Sequence, residues 1–301
     1  MVNINELTDI CDKLGCRITA ECSLGEYVTF RFGGACRALI SVNSADSVVE
    51  ILRYLRGNDI RYFILGRGSN VIVSDEGFDG VILLFSSDFA KIEVNGNTIK
   101  CDAGALLASA CVHAQQSSLT GMENLFGIPG TVGGALYMNA GAYGSEMADI
   151  VVSAEYIDEN CEKRFISRED MELSYRHSIF SGKSCVITSV TMELSAGNAE
   201  SIKEAMNNCM AKRSSKQPLE YPSAGSTFKR PEGSYASLLI EQCGLKGLSC
   251  GGAEVSEKHS GFVINKGYAT SADVLELCGM VQKTVKEKTG FVLELEPIIL
   301  K

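Results

Sequence analysis

Apolar residues at Ile4, Leu7, Ile10, Cys11 and Leu14 recur at helical spacing, and polar residues fill the positions between them. Gly15 follows directly, where a left-handed residue can close the last turn, so the first helix is predicted to end there. The period then changes. Residues 27–32 (Tyr-Val-Thr-Phe-Arg-Phe) alternate as a strand and run into Gly33-Gly34. A second helix is predicted from Ser47, with Glu50 completing a capping box and Gly57 as its stop. Strands at 62–65 and 71–74 flank the turn Gly66-Arg67-Gly68-Ser69-Asn70.

Residues 83–101 read as strands around Asn95-Gly96-Asn97, a hairpin signal. An alanine-rich helix is predicted over 103–117, containing Leu106, Leu107, Ala110 and Cys111. Strands 151–157 and 164–166 alternate on either side of Asp158-Glu159-Asn160. A capping pattern Ser167…Asp170 precedes Tyr175-Arg176-His177-Ser178-Ile179-Phe180, and 186–194 closes the region as a strand. After Gly197-Asn198, Ser201 and Glu204 cap a helix with Ile202, Ala205, Met206, Cys209 and Met210 on one face. Pro218 and Pro222 bracket an extended loop that ends in Ala224-Gly225-Ser226-Thr227-Phe228-Lys229-Arg230-Pro231. A short helix at 234–243, a glycine-rich stretch at 247–253 and a strand at 261–265 follow. The last helix, 272–288, turns Val274, Leu277, Val281 and Val285 inward, and the chain ends in an apolar strand that carries Glu294 and Glu296. Strands and helices mixed without strict βαβ alternation predict an α+β fold. A length of 301 residues predicts two or three domains.

Composition narrows the function. The chain is 45% hydrophobic and 22% charged, as in a soluble globular protein, and no apolar run approaches the roughly 18 residues of a membrane helix. The first residues carry two acids and no basic segment, unlike a signal peptide. A net charge of −9 argues against nucleic acid or an anionic membrane as partner, so an anionic substrate needs locally clustered Arg and Lys. The twelve cysteines lack any C-x-x-C spacing, which denies a metal site, and most sit in apolar patterns as small hydrophobes. Reduced thiols in a cytosolic protein are expected.

Residues 121–144 hold seven glycines (121, 127, 130, 133, 134, 141, 144) interleaved with Ile128, Val132, Leu136 and Met138. Such a stretch suits either tight turns between short strands or a backbone cradle for a large planar or phosphorylated cofactor. The turn 66–70 is not a Rossmann site, because its third glycine is absent and Val71-Ile72-Val73 follows instead of a helix. It suits a plain turn between strands or a nest of amides for a pyrophosphate. Three polar residues stand out as chemistry. Ser226 suits a turn that bonds its own backbone, or a catalytic role. Arg176, beside Tyr175 and Phe180, suits a surface ion pair or a stacked guanidinium. Glu296 is a carboxylate among apolar residues, although alternation could leave Glu294 and Glu296 on one exposed face. Lys229 and Arg230 add positive charge by Ser226, which suits an anionic ligand, and Lys216 reads as a solvated lysine after a helix. His259 is read as a surface histidine or as a neighbour of the site.

The run Gly127-Ile128-Pro129-Gly130-Thr131-Val132-Gly133-Gly134, followed by Met138-Asn139-Ala140-Gly141-Ala142-Tyr143-Gly144, closely resembles the UDP-N-acetylenolpyruvoylglucosamine reductases. Tyr175-Arg176-x-Ser178-x-Phe180, Gly225-Ser226-x-Phe228-Lys229 and Leu293-x-x-Glu296 are similar to that family's arginine, serine and final carboxylate motifs. The resemblance runs from about Tyr27 to the C-terminus.

It implies an α+β chain with a two-part FAD-binding module of the vanillyl-alcohol-oxidase type and a C-terminal α+β substrate-binding domain. The implied domains are 1–82 with 290–301, 83–200 and 201–289. It further implies non-covalent FAD, NADPH as hydride donor, a UDP-sugar enolpyruvyl ether as substrate, no metal, no nucleic acid or membrane partner, and a place in the bacterial cytoplasm. The implied catalytic residues are Arg176, Ser226 and Glu296. FAD would be held by Arg31, Gly33, Gly66, Arg67, Gly68, Ser69, Asn70, Gly127, Ile128, Pro129, Gly130, Thr131, Gly133, Gly134, Gly141 and Ala142. Substrate would meet Tyr175, Lys216, Lys229 and Arg230. Two departures are visible. Pro297-Ile298 stands where many relatives carry a valine and an arginine, and there is no room for the extra tyrosine-bearing loop of the longer subtype. The competing reading is an FAD-dependent oxidase or dehydrogenase for hydroxy acids or aldoses on the same FAD-binding fold.

Overall fold

Helix α1 (Ile4–Leu14) forms where its periodicity places it, because both ends are capped. Asn3 accepts a hydrogen bond from the Glu6 N–H at the start, and Gly15, at φ 66°, returns its own N–H to the last turn. The computed structural model describes residues 2–301. By its internal contacts the chain divides into two compact units: Met1–Ala20 with Ala38–Arg67 and Gly80–Lys212, and Glu21–Arg37 with Gly68–Asp79 and Arg213–Lys301.

The first unit is built on two sheets. One has four strands in the order Arg17–Ser23, Ala35–Ser41, Phe78–Leu84, Tyr62–Leu65, and its last pair is parallel, with Tyr62 opposite Val81. The other is antiparallel with five strands, in the order Lys163–Ser167, Val151–Ile157, Val186–Glu193, Thr98–Asp102, Ile92–Asn95. Helix α2 (Ala45–Gly57) buries Val48, Ile51, Leu52 and Leu55. Helices α3 (Leu107–Gln116) and α4 (Val132–Tyr137) pack on the five-stranded sheet. These faces share one core that runs from Leu7 to Met206. Helix α5 (Ala199–Lys216) contains the boundary between the units.

The second unit combines α6 (Ala236–Gln242), a three-stranded antiparallel sheet (Ser249–Cys250, Ala253–Val255, Val263–Asn265) and α7 (Ser271–Thr289). Val274, Leu277, Val281 and Val285 are buried, as the spacing predicts. The C-terminal strand Ile298–Leu300 pairs in parallel with Val71–Val73, with Ile298 opposite Val71. Phe30, Phe32, Ile72 and Leu293 join this core.

Some local expectations change. Residues 27–32 are not a strand: Arg31 sits at φ 60° and its N–H turns back to the Val28 carbonyl at 3.2 Å. The alternation was a burial signal, since Phe30 and Phe32 are buried with ring centroids 4.8 Å apart, but a turn delivers them. The cap of α2 is Ser44, in reciprocal bonds with Ser47, and that of α5 is Asn198, which accepts from the Glu200 and Ser201 N–H groups. Helix α3 starts at Leu107 because the Ala103 and Ala105 N–H groups bond Thr188 and Asp102 instead. All twelve cysteines are free thiols. Burial pushes those of Cys11, Cys101, Cys111 and Cys278 up to about 12, so they stay protonated and inert.

Candidate active site

In the first unit the two glycine-bearing segments meet. A Cβ added at Gly66 would lie 2.6 Å from Thr131 Oγ1, so the start of the 66–70 turn lies against the 127–134 segment. Thr131 caps α4 by accepting from the Gly134 N–H at 3.3 Å. The segment is pinned from behind: the Gly130 carbonyl accepts from Leu107, and the Val132 and Gly133 N–H groups donate to Ala105 and Ala103. Gly133 is glycine for a packing reason, since its Cβ would stand 2.7 Å from that of Ala103. Gly127 takes φ 90°. Gly127, Ile128, Pro129 and Gly130 are exposed or half-buried. Gly141 and Ala142 pair with Glu146 and Ser145 in a short hairpin.

The Arg176 loop is fastened to the end of α4. Ser174 and His177 exchange backbone hydrogen bonds at 3.2 and 3.1 Å, and Arg176 between them takes φ 55°. Its guanidinium lies 5.0 Å from the Tyr175 ring centroid, a stacking contact that narrows its choice of positions. Buried Asn139 donates Nδ2 to the Ser174 carbonyl at 3.0 Å and accepts from the Ala148 N–H at 2.9 Å. Buried Ser178 donates its hydroxyl to the Tyr137 carbonyl at 2.8 Å. The loop is thereby held from both sides. Asn139 was not singled out in the sequence; the available signal was a polar residue inside an apolar, glycine-rich run.

The second unit gathers the serine and carboxylate motifs. The Glu296 N–H donates to the Thr227 carbonyl at 3.0 Å, Phe228 bridges Leu295, and the Lys229 N–H donates to Glu294 at 2.8 Å. Buried Thr227 also donates its N–H to the Gly261 carbonyl at 2.8 Å, while its hydroxyl oxygen accepts from the Val263 N–H at 2.9 Å. Ser226 and Glu296 are half-buried, whereas Glu294 is exposed and reaches Lys229 Nζ at 3.5 Å. The two carboxylates therefore differ in exposure. Asn70 belongs to the same neighbourhood: its carbonyl accepts from the Ile298 N–H at 2.9 Å, and its Nδ2 reaches the Glu296 carbonyl at 3.4 Å.

Gly68 takes φ 63°, and a Cβ there would stand 2.4 Å from the Tyr27 carbonyl oxygen. Gly33, at φ 130°, leaves no room for a Cβ against that of Val73, 2.6 Å away. Arg31 and Arg67 are exposed, and Ser69 is half-buried. Lys216 is exposed at the last residue of α5, and the Arg230 guanidinium lies 4.6 Å from the Tyr235 ring centroid. His259 is half-buried, and its Nδ1 accepts from the Gly261 N–H at 3.1 Å. Burial holds its pKa below the ordinary histidine value, and Lys246 and Lys216 push the same way. Since Nδ1 accepts that bond from Gly261, the proton of the neutral ring sits on Nε2.

Among the described residues no group of three or more His, Cys, Asp or Glu could hold a metal ion, and no helix is long and apolar enough to cross a membrane. Comparison with known proteins extends the picture. Residues 217–300 match the family described as UDP-N-acetylenolpyruvoylglucosamine reductase, C-terminal domain, and residues 36–163 match a family of FAD binding domains. A UDP-N-acetylenolpyruvoylglucosamine reductase of Clostridium perfringens (strain SM101 / Type A) is 48% identical over 283 residues, covering 94% of this chain and 93% of its own. The crystal structure of the reductase from Thermus caldophilus superposes with a TM-score of 0.80 at 33% identity, over 95% of this chain and 99% of that one. The glucose dehydrogenase Phl p 4.0202 superposes with a TM-score of 0.51 at 14% identity, over 64% of this chain and 44% of that one. That likeness is one of fold alone.

Proposed function

The chain belongs to the UDP-N-acetylenolpyruvoylglucosamine reductase family, and from that premise we propose which of its residues carry the reaction. It is an FAD-containing oxidoreductase that uses NADPH to reduce the enolpyruvyl group of UDP-N-acetylglucosamine enolpyruvate, yielding UDP-N-acetylmuramate for peptidoglycan. Its α+β fold joins a vanillyl-alcohol-oxidase-type FAD module to a reductase C-terminal domain. The competing oxidase reading has only a 14% identical fold likeness behind it.

One observation supports a fit to FAD. A Cβ at Gly66 would lie 2.6 Å from Thr131 Oγ1, so the backbone at Gly66 adjoins the glycine-rich segment 127–134. The residues assigned to hold FAD are Arg31, Gly33, Gly66 to Asn70, Gly127 to Thr131, Gly133, Gly134, Gly141 and Ala142. When bound, FAD relays hydride from NADPH to the enolpyruvyl group. Arg176 and Glu296 are assigned to the negative charge that develops on the substrate carboxylate, as preorganised donors facing an enolate-like species. Ser226 is assigned to deliver the proton to the adjacent carbon. A hydroxyl is a weak acid, so it acts here on a strongly basic centre. Tyr175, Lys216, Lys229 and Arg230 are assigned to the anionic nucleotide sugar. The domain division 1–82 with 290–301, 83–200 and 201–289 belongs to the same reading. So does a place in the bacterial cytoplasm, which the twelve free thiols favour and cell fractionation would test.

The role assignment is supported above all by the hydrogen bond from the Glu296 N–H to the Thr227 carbonyl, which brings the backbone of Glu296 against the segment that carries Ser226. Its test is Ser226→Ala, followed through the two half-reactions. Flavin reduction by NADPH should stay nearly intact, while flavin reoxidation by the enolpyruvyl substrate slows by ~10²–10⁴-fold, the usual contribution of general acid catalysis. Equal slowing of both steps would refute the proton-donor role.

A further inference from the structure

The segment that carries Ser226 hangs between two anchors. On its far side Thr227 is fixed by Gly261, Val263 and Glu296. On its near side the Ser223 carbonyl accepts a hydrogen bond from Thr29 Oγ1 at 2.6 Å, across 194 residues of sequence. Between the anchors Ala224 is buried, but Gly225 is at φ 73° with nothing within 4 Å of a Cβ, so packing alone restrains this stretch weakly.

Thr29 faces the flavin turn as well. Its N–H donates to the Gly68 carbonyl at 3.2 Å. Its hydroxyl lies 3.4 Å from the same oxygen, but a single proton commits it to the shorter bond with Ser223. Thr29 is itself held in place. Val28 and Phe30 on either side are buried, and the Phe30 carbonyl accepts from buried Asn265 Nδ2 at 3.0 Å. A Cβ at Gly68 would stand 2.4 Å from the Tyr27 carbonyl oxygen and 2.7 Å from Val28 Cα, so the turn packs directly on residues 27 and 28.

We propose that Thr29 is a positioning residue that transmits occupation of the 66–70 turn to the segment carrying Ser226. This deepens the function above and rests on two parts of it: the turn as the pyrophosphate cradle of FAD, and Ser226 as proton donor. Filling the turn fixes the Gly68 carbonyl, that carbonyl fixes the Thr29 backbone, and the Thr29 hydroxyl fixes Ser223. Loss of the hydroxyl leaves the near side of Ser226 held only through Pro222, whose carbonyl accepts from the Asn265 N–H at 2.9 Å.

Thr29→Val removes the hydroxyl at nearly constant volume, and Thr29→Ser retains it. Amide hydrogen exchange is compared between FAD-free and FAD-loaded protein for wild type and both variants. In wild type, FAD loading should slow exchange in peptides covering 66–70 and in those covering 223–228. Thr29→Val should keep the first effect and lose the second by about fivefold, the worth of one hydrogen bond. Thr29→Ser should restore it. Thr29→Ala reports the same loss if valine disturbs the packing of Phe30. In the loaded enzyme, Thr29→Val should slow flavin reoxidation by the enolpyruvyl substrate about three- to tenfold and leave flavin reduction by NADPH within about twofold. Wild-type protection of 223–228 in Thr29→Val, or equal slowing of both half-reactions, would overturn the inference. Ser226→Ala is run alongside. If it leaves reoxidation unchanged, the proton-donor reading falls, and the exchange data still judge Thr29 on their own.

Discussion

Gly66→Ala isolates the contact on which the cofactor assignment leans. Gly66 does not have a left-handed φ, so alanine adopts its backbone without strain, and the outcome depends on space alone. The new Cβ would stand 2.6 Å from Thr131 Oγ1, 3.1 Å from Thr131 Cγ2 and 3.4 Å from Thr131 Cβ. Relief requires Thr131 to rotate or retreat, and either movement breaks its cap on α4. Loss of an N-cap costs about 1 kcal/mol. Overpacking of a buried contact costs a further ~1–3 kcal/mol. Replacing glycine returns about 0.4–1 kcal/mol by restricting the unfolded chain. The net loss expected for FAD-free protein is therefore about 1–3 kcal/mol, and FAD affinity should fall at least about tenfold, equivalent to ~1.4 kcal/mol. The decisive control is Thr131→Ala. It removes Oγ1 and Cγ2 and leaves only the 3.4 Å contact, which is an ordinary van der Waals distance. In that background Gly66→Ala should be close to neutral, so the double-mutant cycle should show a coupling of about 1–3 kcal/mol. Urea unfolding of the FAD-free proteins and flavin-fluorescence titration supply the two readouts. Additivity of the two substitutions, or wild-type FAD affinity in Gly66→Ala, would refute the reasoning.

Two further outcomes are expected. Asp75 accepts from the Ser271 N–H, the Ser271 hydroxyl and the Ala272 N–H at the start of α7. Burial pushes its pKa up, but these bonds outweigh that and hold the carboxyl below its ordinary 3.8. A depressed folded-state value makes the stabilisation complete above the ordinary value and lost as pH falls through the folded one. Asp75→Asn should therefore lower stability by about 1 kcal/mol near neutrality, the small end of the range because the residue is exposed, and the gap should close below about pH 4; a gap independent of pH in urea titrations would count against this account. Lys216→Ala should raise KM for the nucleotide sugar with kcat and flavin content unchanged, since a phosphate contact acts equally in ground and transition states. An unaltered KM in steady-state assays would return Lys216 to an ordinary solvated lysine.

Local sequence determined the features whose physics is local. Helix α1 and its Gly15 stop, the inward face of α7, and the hairpin at Asn95-Gly96 each depend on spacing and turn chemistry within a few residues, and the structure has them where those patterns lie. The glycine-rich run and the serine and carboxylate motifs were legible by resemblance. Other features were decided by the tertiary structure. Whether 27–32 is a strand could not be read from alternation, because a turn at Arg31 buries the same two phenylalanines. Thr29, Asn139, Thr227 and Asn265 look like ordinary polar residues in the sequence. Their importance lies in partners from Ser223, Ser174, Val263 and Phe30, as many as 235 positions away. Gly133 looked like part of a ligand cradle, yet its missing side chain is also required by Ala103. Periodicity records which residues leave water, because burial repeats with the local geometry of helix or strand. It does not record which distant carbonyl a buried hydroxyl or amide will meet, and in a low-dielectric interior each such group has to be satisfied when the chain closes.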